Sequence, residues 1–250
     1  VPYRFAVEQT DHADLAGGAV LRSAPGLPAF PVRLATELFA RAAARLPGGA
    51  ELTMWDPLCG SGYLLTVLGL LHRGELGAVL GSDVDERATE VATANLALLT
   101  SAGLRARAGR LHEQAAEFDK PAYALAAEAA GRLAGLLLAG GGDLRAEVRR
   151  ADALDPDALG GVVEGFPPVD LVLADLPYGE QTRWRGEHGA AAEPQARLLR
   201  ALRPNLPDHA VLVLVDRSRK VVLPAGLRPL ERFRIGTRSA VLLRAADLPT

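Results

Sequence analysis

The chain has 250 residues, 49% hydrophobic and 23% charged, with one cysteine and a formal net charge of −2. That length buries a sizeable core. The single cysteine excludes a disulfide framework and a cysteine-rich zinc site, and the charge balance excludes a global field that draws the protein to nucleic acid. No apolar run reads as membrane-spanning, and the start "VPYRFAVEQT" carries no signal-peptide core, so a cytoplasmic chain without membrane contact is expected.

Residues 1–30 read as irregular, with turn signals around "SAPGLPAFP". The spacing of Leu34, Leu38 and Leu46 predicts a helix over 31–46, with Pro31 in its first turn and "PGG" ending it. A strand is expected over 51–55, a buried helix over 62–72 and a strand over 77–83. A helix over 85–99 takes Asp85 as its N-cap. The Ala- and Leu-rich stretch 102–142 reads as one or two helices broken near Pro121, an insertion in the alternating pattern. Strands follow at 144–152, 169–175 and 210–216, with a helix over 194–203 between the last two. "LERFRIG" and "SAVLLRA" read as a closing antiparallel hairpin with Thr237-Arg238 at its turn.

Strands alternating with helices, most of the strands near-continuously apolar, predict an α/β fold. Its sheet is mainly parallel, with helices on both faces. Seven strands result, in a single domain over 1–250, with 1–46 as an N-terminal extension and helix. Ligands of such sheets bind outside the carboxyl ends of the strands. Those positions are acidic here: Asp56, Asp83, Asp152, Asp175 and Asp216.

The loop "WDPLCGSGYLL" (55–65) reads as a nucleotide cradle. A phosphate-binding P-loop needs Lys and then Ser or Thr after its last glycine, but Tyr63 follows Gly62. A dinucleotide fingerprint needs a third glycine where Leu65 stands, and Asp56 would repel a pyrophosphate. A cofactor without phosphate welcomes an acid, and S-adenosylmethionine fits. Asp56 is placed for its cationic methionine end. Gly60, Ser61 and Gly62 form the loop whose backbone approaches it. Asp83, ending the second strand, suits the ribose hydroxyls, and Asp152, after the third, the adenine amino group. A helix-cap role for Asp152 stays open.

The fourth strand ends in "ADLPYGE" (174–180). With "DPLCGSG", "GSDVD" and "RRADAL" before it, this order resembles the class I S-adenosylmethionine-dependent methyltransferases over residues 50–245. Within them it resembles the enzymes with an Asp/Asn-Pro-Pro-Tyr/Phe turn that methylate nitrogens of bases. Leu176 stands where proline is commoner, and "DLPYG" is similar to a branch acting on guanine in RNA. The whole chain is similar to the 23S rRNA methyltransferases with which antibiotic producers resist avilamycin. The resemblance implies a Rossmann-like methyltransferase sheet, 23S rRNA or the large ribosomal subunit as partner, and antibiotic resistance; a monomer is expected. It also implies that Asp175 and the carbonyl after it hold the target nitrogen, that Pro177 stiffens the turn, and that Tyr178 stacks on the base.

A carboxylate only accepts hydrogen bonds, so Asp175 suits guanine's N1–H and N2–H₂ donors and opposes adenine's N1. Whether N1 or N2 takes the methyl stays open. In the loop 179–194, Arg183 and Arg185 are placed for phosphates and Trp184 for stacking on an unpaired base. The C-terminal run Arg217, Arg219, Lys220, Arg228, Arg232, Arg234 and Arg238, against Glu231, reads as either an RNA-facing patch or a solvated sheet edge. Cys59 reads as a small buried residue, the five histidines show no paired metal spacing, and the stripe in 123–139 reads as helix packing. The rivals are a small-molecule N-methyltransferase, a non-catalytic cofactor-binding subunit and a dehydrogenase.

Overall fold

The apolar strands pair into one seven-stranded sheet in the order β3-β2-β1-β4-β5-β7-β6. The structure, a computed structural model, describes residues 3–16, 18–177 and 192–249. The strands are β1 (Leu52–Asp56), β2 (Leu76–Asp83), β3 (Arg145–Arg150), β4 (Leu171–Asp175), β5 (Val211–Asp216), β6 (Glu231–Ile235) and β7 (Arg238–Arg244). Strands β1 to β5 run parallel to one another, and β7 lies antiparallel between β5 and β6. The order reverses between β1 and β4, which opens a crevice at their carboxyl ends.

Side chains alternate between the two faces of the sheet, as a period of two requires. Met54, Val79, Leu171 and Val213 enter one core. Their successors Trp55, Leu80, Val172 and Leu214 enter the other. The first core is covered by α2 (Val32–Ala43), α3 (Tyr63–Leu71), α4 (Glu86–Leu96), α5 (Ser101–Phe118) and α6 (Pro121–Ala139). The second is covered by α7 (Pro156–Val163) and α8 (Ala192–Leu202). A single turn, α1 (Ala13–Ala16), precedes them.

Helix α3 is apolar all round because it is buried all round, from Tyr63 to Leu70. The insertion is a helical hairpin. Asp119, at a left-handed φ of 47°, ends α5, and Pro121 starts α6 at a first-turn position that lacks an N–H partner in any case. The hairpin packs through Leu104 and Leu111 of α5 and the Ala126, Ala130, Leu133 and Leu137 face of α6. At 19 residues, α6 is long and apolar enough by length and composition to cross a membrane, against the expectation that no segment is. Only 33% of that window is buried.

Two further expectations shift. From sequence no element is expected between 152 and 169, yet α7 lies there. Eight residues are too few to show a period, although Asp155 caps its first N–H groups and Pro156 opens it. The hairpin turn is Gly236-Thr237, since Ile235 pairs with Arg238. Gly236 supplies the positive φ, 57°, that the turn needs. Arg238 therefore belongs to β7 and is buried, 5% exposed.

The N-terminal segment is pinned to the sheet by a buried carboxylate. Glu37 of α2 accepts from the N–H groups of Arg4, Phe5 and Ala6, each at 2.8 Å, and from Arg41 Nε at 2.6 Å. Arg41 also pairs with Glu231 of β6 and stacks over Phe233 at 4.3 Å. Burial pushes the Glu37 carboxyl up, but the three backbone donors and Arg41 outweigh it and hold its pKa below the ordinary value. A lowered native pKa stabilises the fold above the ordinary glutamate range, and that contribution is lost as pH falls through the native value. We expect Glu37→Ala to cost about 3–5 kcal/mol in urea unfolding at neutral pH, because Arg41 and three N–H groups lose their acceptor. The difference from the parent chain should shrink in acid.

Candidate active site

Where the chain leaves a parallel strand it must turn, and this protein turns on aspartate. Asp56 accepts the N–H of Leu58 at 3.0 Å, Asp83 that of Asp85 at 2.9 Å, Asp152 that of Leu154 at 2.9 Å and Asp216 that of Ser218 at 2.7 Å. Each bond spans two residues, the local turn that aspartate makes readily. Asp175 is the exception. Two residues on stands Pro177, which has no N–H to give. Its Oδ1 is taken by Nη1 of Arg238 at 2.6 Å instead.

These carboxyl ends surround a cavity of about 390 Å³. Asp56, Gly60, Ser61, Asp83, Asp152 and Asp175 line it, with Leu176 and Pro177 beside Asp175. Asp83 ties the site together: its second oxygen accepts the N–H of Gly60 at 2.9 Å, so the end of β2 holds the loop after β1. Cys59 is buried, and burial with the nearby Asp56 and Asp83 charges pushes its thiol up, which makes it inert.

Gly62 lies elsewhere than expected. It does not line the cavity; it caps α3 at a φ of 68°. A Cβ there would meet Leu96 at 2.7 Å and Ala92 at 3.0 Å, so this glycine serves the contact of α3 with α4. Gly60, with a φ of 51°, turns the loop at the cavity wall.

Burial pushes the Asp56 carboxyl well above the usual range, and the charges of Asp83 and Asp175 push it further. Burial also raises Asp83 and Asp175; Arg238 works against the rise at Asp175. One oxygen of Asp56 and one of Asp175 accept no hydrogen bond among the described residues. The carboxylates on the cavity offer acceptors and repel one another, with Arg87, Ser61 and Tyr63 the side chains on its lining that can donate. Such a site fits a ligand that brings cations and N–H or O–H donors, and disfavours phosphate. The sulfonium, ammonium, ribose hydroxyls and adenine amine of S-adenosylmethionine match it.

Part of the site was not visible from sequence. Residues 25–30, read as an irregular turn, form a wall of the cavity that ends in Phe30. Asn95, fully buried in α4, clamps that wall to the loop. Its Oδ1 accepts from Arg22 N at 2.7 Å, and its Nδ2 donates to Arg22 O at 2.9 Å and Ser61 O at 2.8 Å. Arg107 of the insertion holds the carbonyls of Ala19 and Val20. The only sequence signal was a polar residue on the inner face of a helix.

Tyr178, Arg183, Trp184 and Arg185 lie outside the described residues. Arg217, Arg219 and Lys220 are exposed in the turn after β5, at the carboxyl end next to β4. The C-terminal basic run is not one surface. Arg232 donates to Val221 O, Arg234 to Gly236 O, and Arg238 is buried against Asp175.

Asp56→Asn keeps the oxygen that takes the Leu58 N–H and removes the buried charge. We expect affinity for S-adenosylmethionine to fall at least about tenfold in calorimetry, while the ligand-free chain melts a few degrees higher, since a raised native pKa marks an ionised group that the fold disfavours at neutral pH. In the parent chain, binding should weaken as pH falls through a range above that of ordinary carboxylates.

Comparison with known proteins shows the family. Residues 1–238 match the family model described as rRNA methyltransferase AviRa. A curated relative from Streptomyces viridochromogenes, the 23S rRNA (guanine(2535)-N(1))-methyltransferase, is 58% identical over 246 residues, covering 98% of this chain and 97% of the relative. Two solved structures of the rRNA methyltransferase aviRa from the same organism, at 2.4 and 1.5 Å, superpose with a TM-score of 0.92 each. They share 57% and 56% identity, covering 99% of this chain and 98% of theirs. A carboxylate-lined cofactor crevice at the switch point of this sheet and a family match over nearly the whole length lead to one conclusion: the chain belongs to the AviRa family of S-adenosylmethionine-dependent rRNA methyltransferases.

Proposed function

We propose that this chain transfers the methyl group of S-adenosylmethionine to N1 of a guanine in 23S rRNA, and that the modification protects the ribosome from an antibiotic. The observation that carries the reading is the acceptor-only oxygen of Asp175 on the cavity, beside the Asp56 and Asp83 carboxylates. It suits the N1–H of guanine and refuses the acceptor N1 of adenine. The curated relative's name specifies N1 of a guanine in 23S rRNA, which favours N1 over N2.

In this reading Asp56 faces the cationic end of the cofactor, Asp83 its ribose and Asp152 its adenine amine, with Gly60 and Ser61 as the backbone wall. When bound, the cofactor supplies a methyl on a sulfonium, a leaving group that needs no further activation. The protein aligns N1 with that methyl and excludes water. Asp175 accepts the N1–H. As the N1–carbon bond forms, that proton becomes strongly acidic and passes to the carboxylate, so a base of ordinary strength suffices. Pro177 holds the turn, and Tyr178 stacks on the base. Arg217, Arg219 and Lys220, with Arg183, Trp184 and Arg185, take the flanking RNA. The chain works as one domain, as a cytoplasmic monomer that contacts no membrane.

The test is labelled-methyl transfer to naked 23S rRNA and to large ribosomal subunits, with Asp175→Ala as control. An N1-methylguanine blocks Watson–Crick pairing, so reverse transcription should stop one nucleotide before the label. Asp175→Ala should reduce transfer by about 10²-fold or more while still binding the cofactor. Label recovered as N2-methylguanosine, without a stop, would reassign the nitrogen; label in adenosine would defeat the reading.

A further inference from the structure

Of the aspartates that end the strands around the crevice, Asp175 is the one whose carboxylate is not spent on its own turn. Pro177 removes the local donor, and a distant one replaces it. Strand β7 runs antiparallel to β5, so its first residue lies at the carboxyl end of the parallel strands. Asp175 pairs with Val215 and Val215 with Ala240, which sets Arg238 diagonally across β5 from Asp175, two residues toward the carboxyl ends of the parallel strands. Arg238 Nη1 donates to Asp175 Oδ1 at 2.6 Å, and its guanidinium lies over the Phe30 ring at 4.4 Å. Arg238 and Phe30 are both buried, at 5% exposure. Phe30 also lines the cavity.

We propose that Arg238 is the positioning residue of methyl transfer: by holding Oδ1 of Asp175 against the wall at Phe30, it presents Oδ2 to the N1–H of the target guanine. This rests on the transfer reading above. The step balances as follows. The S–CH₃ bond breaks and its electron pair stays on sulfur, giving a neutral thioether. The N1–carbon bond forms, and the N1 proton goes to Asp175 Oδ2 and then to water.

A second consequence follows from charge. Facing Asp175 are Arg238 from β7, Arg217 and Asp216 from the end of β5, and Asp56 from β1. Burial raises the Asp175 carboxyl, and Arg238 is the main group opposing it. Without Arg238 the acid is protonated at higher pH, and a protonated oxygen turns a donor toward guanine's own donor. The flat guanidinium matters as well. A lysine supplies the charge without the stack on Phe30 that fixes where the donor points.

The experiment compares the parent chain, Arg238→Met and Arg238→Lys. It measures single-turnover transfer to rRNA across pH, cofactor affinity by calorimetry, and the thermal midpoint. For Arg238→Met we expect a rate loss on the order of 10²-fold, cofactor affinity within about threefold of the parent chain, and an acid limb moved up by about a pH unit. Arg238→Lys should return the limb to its original place and recover only part of the rate. A folded Arg238→Met chain whose acid limb has not moved, whatever its rate or midpoint, has lost only a structural contact and overturns the proposal. Should Arg238→Met not fold, Arg238→Lys decides: a reduced rate at unchanged cofactor affinity supports the proposal, and a parental rate overturns it. A parent chain that leaves rRNA unmethylated would sink the transfer reading itself, a result that no variant is needed to recognise.

Discussion

The constraint on which this molecule turns is the crowding of carboxylates at one end of a parallel sheet. Parallel strands bring their carboxyl ends together, and every chain leaving them must reverse. Aspartate makes that reversal by taking an N–H two residues on, which stabilises each turn locally. Two of these turns bring the buried Asp56 and the half-buried Asp83 beside Asp175 around one cavity, where the charges of the other two bear on Asp56, while Asp152 reaches the cavity from an exposed position. The fold tolerates that repulsion, and a ligand carrying positive charge relieves it. Stability given up by the empty protein is therefore available to cofactor binding.

One turn breaks the pattern, and the chemistry we propose is placed there. A proline two residues after Asp175 leaves that carboxylate without a local partner. A carboxylate satisfied by its own turn has less to offer a substrate. Asp175 is held instead from β7, two strands away in the sheet, so its orientation depends on tertiary structure. The same proline thus shapes the turn and leaves an acid for external use.

The N-terminal segment and the helical insertion add a wall that the core sheet lacks. Glu37 anchors residues 4–6 to α2, Arg107 and Asn95 anchor residues 19–22, and Arg132 of α6 pairs with Asp14. Between those anchors the chain is led past the cofactor loop, where residues 25–30 close the cavity and Phe30 meets Arg238. The insertion thereby bears on the site without entering it, through the backbone that it braces.

The strands and most helices were legible by themselves, because burial writes a period into the residues: continuous apolar runs for β4 and β5, an apolar segment too long for a strand at α3, and an aspartate cap before α4. The acids at the strand ends were legible for the same local reason, since each sits where its strand stops. Helix α7 escaped because it is too short to show a period, and the role of Gly62 escaped because its neighbours are Ala92 and Leu96, thirty or so residues on. Arg238 looked like one more surface cation in a basic run. Only the antiparallel course of β7, which places its first residue over the end of β4, turned it inward. Local sequence determined the elements, the turns and the acceptor chemistry, since those depend on neighbours along the chain. The tertiary structure decided which acid stands free, what holds it and what walls the cavity, since those depend on residues far apart in sequence that meet only when the sheet is assembled.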